Sequence, residues 1–97
     1  MITVQMSLHE IKVEGHSGYA PEGQDIVCSG VSVLIQTLIK SIESFTDDRL
    51  NYILKPGFAQ VDFGNLSEAG SLLVDSFFVG ISGIADAYPD YIKLTST

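Results

Sequence analysis

His16 and Cys28 are the residues of this chain whose types and spacing suit nucleophilic chemistry. Cys28 is the sole cysteine. It falls in the first turn of a segment whose apolar residues recur at helical spacing. A helix N-terminus carries partial positive charge and unpaired N–H donors. Both stabilise a thiolate, the form of cysteine that attacks. The same N–H groups can donate to an oxyanion. A cysteine nucleophile also needs a base or an ion-pair partner. His16, twelve residues earlier, is flanked by Gly15 and by Ser17-Gly18, so small neighbours leave its imidazole open. A strand ending at His16 and a helix starting near Cys28 can lie side by side, with the loop between them bulging away. Asp25, one helical turn before Cys28, can orient His16 or cap the helix. Ser32, four residues after Cys28, shares its helix face and can line the site.

Each of these residues has a plainer role to weigh against the chemical one. A lone cysteine on an amphipathic helix is commonly a small buried apolar residue. A histidine beside glycine is commonly a turn residue, Asp25 a cap and Ser32 a packing residue. His9 and the pair Asp47-Asp48 read as solvated.

Composition narrows the classes. Ninety-seven residues make one domain, 1–97, with 45% apolar residues for a single core. A net charge of -7, from twelve acids and five bases, argues against nucleic acid as direct partner, because phosphate binding needs a basic footprint. It suits a basic peptide substrate. One cysteine forms no internal disulfide, and no tight His or Cys ligand spacing is present, so neither a metal nor another cofactor is expected. No basic segment precedes an apolar run at the N-terminus, and Leu72–Ala85 is interrupted by Asp75. The expected setting is cytoplasmic, without a membrane partner.

The elements that must position the two residues follow from periodicity. Residues 2–8 and 10–15 alternate apolar and polar side chains and form a hairpin turning near His9. Residues 15–23 hold three glycines and a proline and read as a loop. Helical spacing of Val27, Val31, Leu34, Leu38 and Ile42 runs from about residue 24 or 25 to Phe45. Strands follow at 50–54 and 58–63, joined by the turn signal Lys55-Pro56-Gly57. Asn65 to Glu68 resembles a capping box for a second helix ending before Pro89. Its face Leu73, Phe77, Ile81, Ile84 and Tyr88 suits a core, and Tyr91–Thr95 is a last strand. The expected fold is α+β: a mixed sheet of about five strands with two helices packed on one face. Ala69, Ser76, Gly80, Gly83 and Ala87 line one side of the second helix. Close packing inside the chain explains such a stripe, and so does a second subunit.

The run Gly15-His16, Gly18-Tyr19-Ala20, Gly23-Gln24-Asp25-Ile26-Val27-Cys28 and Val31-Ser32 resembles the ribosomal-processing cysteine protease family (Prp) of bacteria. Tyr88-Pro89 before a final strand is similar too. The specific motif covers about twenty residues, and length and element order match over the whole chain. The resemblance implies a nucleophile at Cys28 and a catalytic histidine at His16, with Gly15, Asp25 and Ser32 in support. It implies a homodimer and a substrate loop, here Gly18, Tyr19 and Gly23, that covers the site. It also implies the reaction: removal of a short N-terminal extension from the large-subunit ribosomal protein that is twenty-seventh in the L series. Where the family often has Ala after the histidine and Ala-Ala after the cysteine, this chain has Ser17 and Ser29-Gly30. All are small, and Ser17 or Ser29 can add a hydrogen bond. Two other readings fit the same residues: a non-catalytic dimeric module that binds a ribosomal or assembly protein, and the same protease acting on a phage structural protein.

Overall fold

The computed structural model describes residues 1–96. Its elements run β1 (Ile2–Met6), β2 (Glu10–Glu14), α1 (Ile26–Phe45), β3 (Leu50–Lys55), β4 (Phe58–Phe63), α2 (Glu68–Ala87) and β5 (Ile92–Ser96). They form one five-stranded sheet in the order β3-β4-β2-β1-β5. Neighbours pair antiparallel except β1 with β5, which are parallel. This is the expected mixed α+β sheet. The strand-to-strand crossovers through α1 and α2 account for the helical layer.

Alternation decides which face the helices cover. Ile2 and Val4, Ile11 and Val13, Ala59, Val61 and Phe63, and Ile92 are buried, and every second residue between them is not. α1 lays Val27, Val31, Ile35, Leu38, Ile39 and Ile42 on that face, and α2 adds Phe77 and Ile81. Length and apolar content alone would let either helix cross a bilayer. For α1 the amphipathic split argues otherwise. The outer side of α1 carries exposed Ser29, Ser32, Gln36, Lys40 and Glu43, and its other side is core.

Leu34 is only half-buried because it meets α2 instead of the sheet. A Cβ on Gly80 would stand 2.9 Å from Leu34 Cδ2, and a Cβ on Gly30 would stand 3.3 Å from Ile84 Cδ1. Each helix therefore presents a glycine to a large side chain of the other, which permits close approach. The small-residue stripe divides accordingly. Gly80 serves this packing, whereas Ala69, Ser76, Gly83 and Ala87 are exposed.

The expected cap of α2 needs correction. Ser67, not Asn65, is the N-cap, and its Oγ accepts from the Gly70 amide at 3.1 Å. The choice is made from outside the segment. Asp48, just before β3, accepts from the Ser67 amide at 3.1 Å and from its hydroxyl at 2.7 Å. Asp48 is thus a bridge between two elements rather than a merely solvated helix exit. Its carboxylate also occupies the space that a Cβ on Gly70 would need.

Candidate active site

The exit of β2 is bent by Gly15, whose φ is +98°. A Cβ there would lie 2.5 Å from the Met1 carbonyl oxygen, so the strand can leave the sheet at this point only as glycine. The next residue, His16, is exposed, and its imidazole rests against the β3–β4 turn beside Gly57. The chain then loops through Gly18 and Gly23, both at positive φ, and enters α1 at Asp25.

Asp25 organises this entry. It is buried, and its Oδ1 accepts from the amides of Val27 at 3.0 Å and Cys28 at 2.9 Å. Its Oδ2 accepts from the hydroxyl of Ser17, which is also buried. The Ser17 Oγ in turn accepts from the Tyr19 amide at 3.1 Å. The Ser17 hydroxyl, with the Cys28 amide second, draws the Asp25 pKa from 3.8 down to about 2, against the opposing effect of burial. Of the two roles open to Asp25 on sequence, the structure shows the helix cap. The carboxylate reaches Ser17, the neighbour of His16, and makes no hydrogen bond to the imidazole itself.

That network aims a donor at the sulfur. The Ser17 amide donates to Cys28 Sγ at 3.3 Å. The strand exit and the helix start therefore lie side by side, bonded through main chain and thiol. His16 and Cys28 share no direct hydrogen bond among the described residues. Such bonds commonly form only once substrate is in place. The capping geometry also removes one expectation. The Val27 and Cys28 amides are engaged by Asp25, and the Ser29 amide by the Asp25 carbonyl at 3.0 Å. They are not free to receive an oxyanion.

His16 and Cys28 open onto one groove of about 880 Å³. Gly15, Gly18, Gly23, Asp25 and Ser32 line it with them. Ser32 accepts from the Gln36 side chain at 2.9 Å, and both lie on the groove wall. Tyr19 does not line the groove. Its ring packs edge-on against Tyr88 and Tyr91, with centroids 5.5 and 5.2 Å away. It fastens the loop to the far end of α2. The opposite wall is Leu54 to Ala59, a segment whose sequence marks a turn and not a site. There Lys55 Nζ stands 5.1 Å from the centre of the Phe58 ring. The turn comes to the site because Glu14 pairs with Phe58 and the Gly15 amide donates to the Gly57 carbonyl at 2.9 Å.

Known proteins share this fold. The ribosomal processing cysteine protease Prp of Staphylococcus aureus (strain Mu50) is 27% identical over 105 aligned positions, covering 97% of each chain. Among solved structures, an essential ribosomal processing protease Prp from S. aureus, in complex with a covalently linked product peptide, superposes with a TM-score of 0.95 at 22% identity over both whole chains. The Streptococcus mutans protein SMU.848 superposes at 0.80 with 24% identity, covering 99% of this chain and 91% of that one. The family model for cysteine protease Prp matches residues 1–93, a span that takes in the groove, the loop and both helices, and the chain belongs to that cysteine protease family.

Proposed function

We propose that this protease removes the short N-terminal extension of the large-subunit ribosomal protein that is twenty-seventh in the L series, with Cys28 as nucleophile and His16 as its acid–base partner. The observation that carries the reading is the Ser17 amide directed at Cys28 Sγ at the mouth of an open groove, with His16 adjacent in the chain. An N–H donor is what a thiolate accepts from. Relatives support the substrate class. Their name refers to ribosomal processing, and the S. aureus protein has been solved both with a substrate peptide and with a covalently linked product peptide.

The steps follow from these positions. His16 takes the proton of the Cys28 thiol as the sulfur attacks the scissile carbonyl carbon and forms the C–S bond. His16 gives its proton to the leaving nitrogen as the C–N bond breaks, which frees the mature ribosomal protein. The extension remains as a thioester on Cys28. Water, deprotonated by His16, attacks the thioester; the C–S bond breaks, the extension leaves as a carboxylic acid, and the sulfur takes the proton back from His16. Asp25 and Ser17 hold the loop in register with the helix start. Ser32 lines the groove, and the loop Gly18 to Gly23 closes over the peptide. The protease works as a homodimer in the cytoplasm, where its substrate is made.

The substrate is tested by incubating the protein with the extended ribosomal protein and weighing the products. One cleavage that removes a short N-terminal peptide is expected. The net charge of -7 and the basic character of a ribosomal tail also predict a rate that falls with added salt. An uncut precursor, under conditions where iodoacetamide still reacts with Cys28, would overturn the substrate assignment.

A further inference from the structure

Gly57 carries two unusual constraints, and both concern His16. Its φ is +72° in the tight β3–β4 turn. A Cβ on it would lie 2.8 Å from His16 Nε2, 3.3 Å from Cε1 and 3.5 Å from Cδ2. The Nε2 edge of the imidazole therefore rests directly over the glycine. The other glycines at positive φ differ. Gly18 and Gly23 have open space where a Cβ would be, and Gly15 faces main chain. The turn itself cannot drift, because the Gly15 amide donates to the Gly57 carbonyl and Glu14 pairs with Phe58. His16 is exposed, and among the described residues no hydrogen bond fixes its ring. The bare surface of Gly57 is the constraint that the structure supplies.

From this contact we infer that Gly57 is a positioning residue for the reaction, a flat seat that sets where the His16 imidazole stands in the groove. The inference rests on the assignment of His16 as acid–base partner. The seat acts by steric limit. A glycine lets the ring lie low on the turn, level with the groove wall. Any side chain lifts it, because an exposed ring swings more easily than a doubly bonded turn deforms. A displacement of about 1 Å at a catalytic group costs on the order of 100-fold in rate.

The test uses Gly57→Ala, Gly57→Asn, His16→Ala and the double variant His16→Ala/Gly57→Ala. Asn tolerates positive φ better than Ala, so it adds the Cβ with less backbone strain and covers the case in which Gly57→Ala does not fold. Precursor cleavage gives kcat and KM, and the rate of Cys28 alkylation by iodoacetamide is followed from pH 5 to 9. Both Gly57 variants should lose about 100-fold in kcat with little change in KM. Their alkylation profiles should take the shape of the His16→Ala profile, and Gly57→Ala should add no further change once His16 is absent. Wild-type kcat and a wild-type profile in Gly57→Asn would overturn the seat. So would an equal loss from Gly57→Ala with and without His16, which marks a purely structural role. Full activity in His16→Ala would instead overturn the dyad, and the seat with it.

Discussion

Replacing His16 with alanine is expected to lower kcat for precursor cleavage by on the order of 10²–10⁴-fold, the usual contribution of a positioned acid–base group. KM should change far less, because the imidazole meets the scissile bond and not the length of the peptide. The loss has two origins. The leaving amine departs without a proton donor, and the thioester waits for water without a base. The fold should survive, since the side chain is exposed and makes no hydrogen bond that the main chain depends on. Circular dichroism and a melting curve separate this result from unfolding. Unchanged turnover in a folded His16→Ala protein would remove His16 from the mechanism.

Asp25→Asn is expected to harm both stability and turnover. The carboxylate now accepts three hydrogen bonds, from Ser17, Val27 and Cys28, and donates none. An amide keeps one acceptor oxygen and turns an NH2 toward either the helix amides or the Ser17 hydroxyl, whose proton then loses its acceptor. The network is weakened at one end. If the Ser17 end fails, the amide on Cys28 Sγ loosens and kcat falls, by about 10- to 100-fold for a small displacement. The pH dependence identifies the group. The Asp25 pKa is about 2 in the folded protein against 3.8 otherwise. Stability from this carboxylate is therefore complete above about pH 4 and is lost as the pH falls toward 2. Melting temperature measured down that range should drop in the wild type. Asp25→Asn should start lower at neutral pH and lack this part of the drop. Parallel acid limbs in the two proteins would contradict the role given to the carboxylate.

The parts of this fold that announce themselves in sequence are the ones decided locally. Alternation places β4 at 58–63, and the five-residue β2 loses only its final glycine to the turn. Lys55-Pro56-Gly57 marks its turn, and an acid before an apolar helical run marks the Asp25 cap. The parts that stay hidden are decided by pairing across the chain. Ser67 becomes the α2 cap because Asp48, nineteen residues earlier, bonds to it. The same distance effect conceals the far wall of the groove. Nothing near Lys55–Phe58 says that β4 will pair with β2 and bring the turn beside His16. Tyr19 looks like a loop residue facing substrate until α2 ends with Tyr88 and Tyr91 within reach. One signal was present and pointed two ways. An acid three residues before the cysteine caps the helix by taking the Cys28 amide, so a capping Asp25 and an oxyanion hole made from that amide exclude each other. Ser17 shows the opposite case. Its hydroxyl, where the resemblance leads one to expect alanine, makes the hydrogen bond that joins the loop to Asp25.

The central claim is that Cys28 carries the reaction covalently, and intact-protein mass spectrometry during cleavage of the extended ribosomal protein tests it most directly. The wild type should shorten the precursor at one bond and pass through a species heavier by the extension, attached at Cys28. Cys28→Ala, folded and with its Asp25 cap retained, should give neither the adduct nor the shortened product. Cleavage by Cys28→Ala at the wild-type rate would contradict the account.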